Sequence, residues 1–208
     1  MIDVPLFLAF LAAAAILTVT PGVDTAMVLR AATVDGRRAG IAASAGIILG
    51  CLIWGAAVSL GLGAVLKASE LAYAVVKFAG AAYLVWLGAK LLLHPRAVLE
   101  GAADGAASSR RDAFGRGFLT NMLNPKIGIF YITFLPQFVP AGADVVGYSF
   151  FLAGVHILLT LVWFAVLIAA TAPLGKFLRK PSAIGALDRL TGGIFVAFGL
   201  KLATSSAR

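Results

Sequence analysis

The sequence predicts an all-α integral membrane protein: six transmembrane helices arranged as two inverted three-helix repeats, the first and fourth helices broken at proline. Three observations predict it. Of 208 residues, 61% are hydrophobic and only 12% charged, a balance at which a soluble domain would precipitate. The apolar residues gather in six runs, each near the ~20 helical residues needed to cross a hydrocarbon core about 30 Å thick. Finally, Thr20-Pro21-Gly22 and Asn124-Pro125-Lys126 interrupt the first and fourth runs. Proline removes a backbone donor and clashes with the preceding turn, so each break frees carbonyls that lipid cannot satisfy. Such breaks survive at membrane depth only where they are buried in protein or line a wet cavity. Matched breaks in two halves of one chain point to a transporter's binding site.

The six spans are placed at Val4–Thr33 (broken at Pro21), Ile41–Leu66, Leu71–Leu93, Phe114–Val139 (broken at Pro125), Val145–Thr171 and Ile184–Ala203. Residues 94–112, rich in Ala, Gly, Ser and charge, read as a flexible cytoplasmic linker. The chain is then one membrane domain, with repeat one at 1–93 and repeat two at 113–208. The first apolar segment is expected to be retained, because Met1-Ile2-Asp3 lacks the basic start of a cleavable signal.

Basic residues set the orientation. Loops one, three and five carry Arg30, Arg37 and Arg38, then Lys90, Arg96, Arg110, Arg111 and Arg116, then Lys176, Arg179, Lys180 and Arg189; the other side holds Lys67, Lys201 and Arg208. The excess places the odd loops in the cytoplasm and both termini outside. The net charge of +8 therefore reflects topology. It forms no basic helix face with interleaved aromatics, so no nucleic-acid partner is expected.

Three spans per half insert the second half upside down relative to the first. Residual similarity agrees: Gly88-Ala89-Lys90-Leu91 matches Gly199-Leu200-Lys201-Leu202, Ala81-Ala82 falls in register with Gly192-Gly193, and Trp54 corresponds to Trp163.

Asp24, three residues after Pro21, is taken as the only acidic residue within a span. An intramembrane carboxylate is costly and faces a cavity or a partner. It would receive a substrate ammonium or carry a proton; the structural alternative is a cap for the helix restarting after Gly22. Lys126 falls about 18 Å into its span at 1.5 Å per residue, too deep to snorkel, and Asp24 is its expected partner. Lys126 and freed backbone amides would hold a substrate carboxylate with Asn121 and Asn124 as donors, or else the pair would pin the two halves structurally. His156, mid-span, would relay protons or hydrogen-bond a neighbouring helix. Lys77 reads as snorkelling, Tyr83 and Trp86 as packing, and Gly46 with Gly50 as a close helix contact.

The single cysteine, Cys51, lies in an apolar run. No Walker A sequence, metal-ligand spacing or activated nucleophile is present, so no cofactor, metal or enzymatic activity is expected.

These residues together resemble the LysE/RhtB family of bacterial amino-acid exporters. The likeness runs along nearly the whole chain: Thr20-Pro21-Gly22-Val23-Asp24, the turn Gly36-Arg37-Arg38-Ala39-Gly40, Lys77 to Leu84 ending in Leu87-Gly88, Gly117 to Asn121 leading to Asn124-Pro125-Lys126, and Phe134-Leu135-Pro136-Gln137-Phe138. One departure is Val23, where the family usually has a second proline. The resemblance implies an inner-membrane permease exporting amino acids or derivatives, driven by the proton gradient and dimeric. It carries functional roles onto Pro21, Asp24, Asn124, Pro125 and Lys126. With one intramembrane carboxylate, neutral substrates such as threonine, homoserine or branched-chain residues are favoured over cationic ones. A cation or heavy-metal permease and a non-transporting membrane scaffold are the alternatives.

Overall fold

The computed structural model describes residues 3–68, 70–95, 109–171, 177 and 180–204, with the side chains at 62–74, 76, 77, 198, 201 and 202 excepted. Most of the expected linker, the cations Lys67, Arg96, Lys176, Arg179, Lys201 and Arg208, and the side chain of Lys77 therefore lie outside the described residues. Everything described is helix or turn.

The chain opens with α1, Val4–Val19, capped by the Asp3 side chain, which accepts from the Leu6 amide at 3.0 Å. Thr20 is extended, and α2, Val23–Val34, leaves at 50° to α1. The first span is thus broken at Pro21 as expected. Gly36, at φ +91°, makes the turn into α3, Arg37–Ala68. The next helix, α4, covers Glu70–Leu93.

The second half begins earlier than the sequence reading allows. Ser109 accepts from the Asp112 amide while Asp112 accepts from the Ser109 amide, a reciprocal cap that starts α5, Arg110–Met122. Arg110, Arg111 and Asp112, assigned to the linker, are helical. After the break at Leu123-Asn124 comes a short α6, Pro125–Ile129, then a π turn at Phe130–Phe134 and a 3₁₀ turn at Leu135–Phe138. Side chains help satisfy this irregular backbone: the Thr133 hydroxyl donates to the Ile129 carbonyl at 2.8 Å and the Gln137 amide to the Thr133 carbonyl at 2.8 Å. Helices α7, Val145–Ala169, and α8, Pro181–Thr204, complete the order.

Two described helical stretches, Arg37–Gly61 and Val145–Ala169, are long and apolar enough to cross a membrane alone, and α1 with α2 passes as one bent span. The fourth segment is cut into pieces too short to pass. Many large apolar side chains face outward, among them Leu8, Phe78, Trp86, Leu119 and Leu158. Such a surface suits lipid, and the chain is a multi-pass membrane protein.

Lipid is as apolar as leucine, so helices in a bilayer hold together by close packing. Two glycine-lined contacts dominate. Gly46 and Gly117 let α3 and α5 meet backbone to backbone, at the Phe114 and Ala43 carbonyls respectively. Between α4 and α8, a Cβ on Gly88 would stand 2.6 Å from the Gly192 carbonyl oxygen, and one on Gly199 would stand 2.9 Å from that of Ala81. Gly88 also meets Val196, and Gly199 meets Val85, so these helices run antiparallel. Phe10, Phe130, Phe134 and Phe138 interlock between α1 and the irregular segment, with Phe10 and Phe138 centroids 5.4 Å apart.

Candidate functional site

Pro21 has no amide hydrogen to offer Leu17, four residues back. The Lys126 ammonium supplies the missing donor: its Nζ lies 2.7 Å from the Leu17 carbonyl oxygen and 2.8 Å from that of Thr20. The two proline breaks therefore meet across the halves. Lys126 is aimed from α6, whose start is capped by the Asn124 side chain accepting from the Lys126 amide at 3.0 Å. Gly22 leaves room for the lysine stem; a Cβ there would lie 3.7 Å from both Cδ and Nζ.

Asp24 is 8% exposed, in the first turn of α2, whose dipole favours a carboxylate there. It does not cap that helix: Gly22 holds the cap position, with no side-chain bond. Its Oδ2 accepts from Asn121 Nδ2 at 2.8 Å, and Oδ1 is buried without a hydrogen-bond partner. Lys126, the partner expected for this carboxylate, lines the same small cavity and acts on it through its charge, while the hydrogen bond to Oδ2 comes from Asn121. The same Asn121 nitrogen lies 3.4 Å from Cys51 Sγ. Gly50 makes room for this amide, because a Cβ there would collide with Asn121 Oδ1.

His156 is buried in α7, with Nδ1 3.0 Å from the Tyr131 hydroxyl and its ring 4.5 Å from that of Phe130. It faces the breaks across a cavity of about 30 Å3 lined by Asp24, Thr25, Lys126, His156 and Thr160.

A second, larger cavity of about 260 Å3 opens on the other side of Lys126. Gly22, Asn124 and Lys126 line both and form the wall between them. Its remaining lining includes Thr20, Tyr83, Lys90, His94, Asp188 and Thr191, with Leu87, Leu91 and Phe195 as the apolar side. Thr20 Oγ1 donates to the Ile16 carbonyl and so accepts from Thr191 Oγ1 at 2.7 Å, tying the first break to α8.

The breaks bring together Asp24, Asn121, Asn124 and Lys126 as the sequence led one to expect, with His156 close by. The surprises are on α4 and α8. Asp188 is fully buried inside the sixth apolar segment, so Asp24 is not the only carboxylate within a span. It lies inside the span placed at Ile184–Ala203 but abuts Arg189, which the charge count assigns to loop five, and so escapes the search for intramembrane carboxylates. Its i, i+3 spacing from Thr191, which puts both on one helix face, is the signal that finds it. Tyr83, read as packing, also lines the cavity. Among the described residues, no three His, Cys, Asp or Glu side chains cluster as metal ligands would.

The relatives of the chain are translocators and membrane proteins. A family model described as LysE type translocator matches residues 15–206. An uncharacterized membrane protein of Bacillus subtilis (strain 168) is 31% identical over 206 residues, covering 95% of this chain and 98% of its own. The leucine efflux protein of Klebsiella pneumoniae is 27% identical over 200 residues, 95% of this chain and 94% of its own. An uncharacterized membrane protein of Vibrio cholerae is 29% identical over 205 residues, 99% and 100% of the two chains. No solved structure matches. With the matched model spanning both proline breaks and the helices around them, the chain belongs to the LysE type translocator family.

Proposed function

We propose that this protein is a secondary exporter of neutral amino acids, branched-chain residues foremost, working in the bacterial inner membrane and driven by the proton gradient. The observation that carries the reading is the larger cavity. It sets the cations Lys126 and Lys90 and a carboxylate, Asp188, around a volume of about 260 Å3 that Leu87, Leu91 and Phe195 also line. That is the complement of a zwitterion with an apolar side chain. Lys126 would face the substrate carboxylate, Asp188 the ammonium, and Asn124, Thr191 and Tyr83 would supply hydrogen bonds. Asp188 removes the single-carboxylate argument for a neutral cargo, which rests instead on the apolar lining and on relatives named as leucine efflux proteins.

Alternating access would follow from six spans in two inverted repeats. The equivalence that pairs Ala81 with Gly192 and Gly88 with Gly199 turns one α4–α8 contact, Gly88 on Gly192, into the other, Gly199 on Ala81. This reciprocity is what a two-fold axis in the membrane plane requires. Rocking one half against the other would pull Lys126 from the Leu17 and Thr20 carbonyls. Each such charge-assisted bond is worth about 1.5–3 kcal/mol, the size of a typical coupling free energy between sites. A substrate carboxylate competing for the ammonium would lower that cost. Both termini would lie outside, and the protein would work as a homodimer.

The test is efflux from cells loaded with dipeptides of leucine, threonine or lysine. Leucine release well above that of cells lacking the protein is expected, with lysine release unchanged. Strong preference for lysine overturns the substrate class, and no release of any of the three overturns the exporter.

A further inference from the structure

We infer that the small cavity is a proton-exchange site distinct from the substrate cavity, in which Asp24 gives and takes the coupling proton through a water shared with His156. This rests on the exporter reading above and assigns Asp24 the proton rather than the substrate ammonium.

Size decides first. About 30 Å3 admits a water but no amino acid. Asp24 lines this cavity and is absent from the lining of the larger one, where Asp188 stands instead. Chemistry decides next. Asp24 Oδ1 is a buried carboxylate oxygen with no hydrogen-bond partner, an expensive arrangement unless the site exists to fill it. A water there would have Oδ1, the His156 ring and the Thr160 hydroxyl within the same small wall, the polar partners a bound water needs.

Charge excludes the competing occupants. Lys126 lines the cavity and opposes a metal cation, while the Asp24 carboxylate opposes an anion; a neutral water carrying protons meets neither objection. The groups facing Asp24 from the helices packed on it are Cys51 of α3, Asn121 of α5, Asn124 and Lys126 at the start of α6, and His156 and Thr160 of α7. Among them His156 carries a ring nitrogen on each side, so it can engage Tyr131 with one and a water with the other. Its Nδ1 is engaged by the Tyr131 hydroxyl, which orients the ring from the far side.

The cycle balances simply. A proton from outside binds Asp24 Oδ1; when the site turns inward the O–H bond breaks and the proton leaves through the shared water to the cytoplasm. Lys126, in the wall common to both cavities, is the group through which charge on Asp24 is felt by the substrate.

Purified protein in vesicles, with leucine as probe, separates the possibilities. Leucine/leucine exchange needs no net proton movement, whereas net efflux driven by a pH gradient does. Asp24→Asn keeps the shape and the Asn121 bond but cannot cycle a proton. It is expected to lower net efflux about a hundredfold, the low end of what a positioned proton-transfer group contributes, while exchange persists. Retained exchange also shows that the variant is folded. Gradient-driven efflux surviving in Asp24→Asn overturns the inference. So does loss of exchange and leucine binding together in a folded variant, which would make Asp24 a substrate ligand and leave the exporter reading standing. Should Asp24→Asn not fold, His156→Gln decides: exchange kept with efflux reduced supports the site, and both unchanged overturns it. Absence of both activities in the parent protein instead fails the exporter reading.

Discussion

The Lys126 ammonium lies 2.7 Å from the carbonyl oxygen of Leu17, the acceptor that Pro21 leaves without its helical donor. The break in the first half is thus repaired by the lysine beside the break in the second. The bond ties the two halves together and marks where they part.

Lys126→Met should therefore lower stability as well as transport. Each carbonyl left unpaired costs about 1–3 kcal/mol. The expected outcome is a clearly lower unfolding temperature of the purified protein in detergent, with Lys126→Arg recovering part of it. An unchanged temperature would mean that other donors reach Leu17 and Thr20.

Gly50→Ala tests the seat of Asp24. An added methyl meets the Asn121 amide, which must then swing away from Asp24 Oδ2. Net efflux should fall sharply although no charged residue has changed, and the variant should still reach the membrane. Efflux at the parent level would show that Asn121 does not matter to Asp24.

The α4–α8 contact predicts opposite signs for two chemically identical changes. Gly→Ala in a helix ordinarily gains about 1 kcal/mol. At Gly193 nothing lies within 4 Å of the new methyl, so Gly193→Ala should stabilise. At Gly88 the methyl would press on the Gly192 backbone at 2.6 Å, and overpacking of about 1–3 kcal/mol should outweigh the gain. Thermal unfolding of the two variants side by side checks the sign of each.

The start of α5 should respond to acid. The Ser109 side chain and amide, helped by Arg116 and Arg111, hold the Asp112 carboxyl below its ordinary value of 3.8. A carboxyl lowered on folding stabilises where it is ionised. Its contribution is present above the ordinary value and lost as pH falls through the lower, folded one. Hydrogen exchange at residues 110–113, corrected for intrinsic rates, should show protection lost over that acid range. Asp112→Asn should abolish the dependence.

Proline and glycine made much of this site legible. Pro21 and Pro125 interrupt apolar runs, and they mark the two places that meet. Ser109 and Asp112 also carry a readable cap, hidden only by the Ala- and Ser-rich composition around them. The partner of Asp24 was less accessible. Counting charges pairs it with Lys126, whose ammonium also serves the Leu17 and Thr20 carbonyls, a local demand that charge alone does not reveal. Asp188 was concealed by Arg189. The π turn at Phe130–Phe134 contains neither glycine nor proline, and its one sequence signal is Pro136 just beyond it, which cannot donate to the Ile132 carbonyl.

Leucine efflux from dipeptide-loaded cells, comparing the parent with Lys126→Gln and Asp188→Asn at matched membrane levels, tests the central claim most directly. Export by the parent, with loss in Lys126→Gln and weakened apparent affinity in Asp188→Asn, is the predicted result. Equal export by all three proteins would contradict a substrate site at the paired breaks.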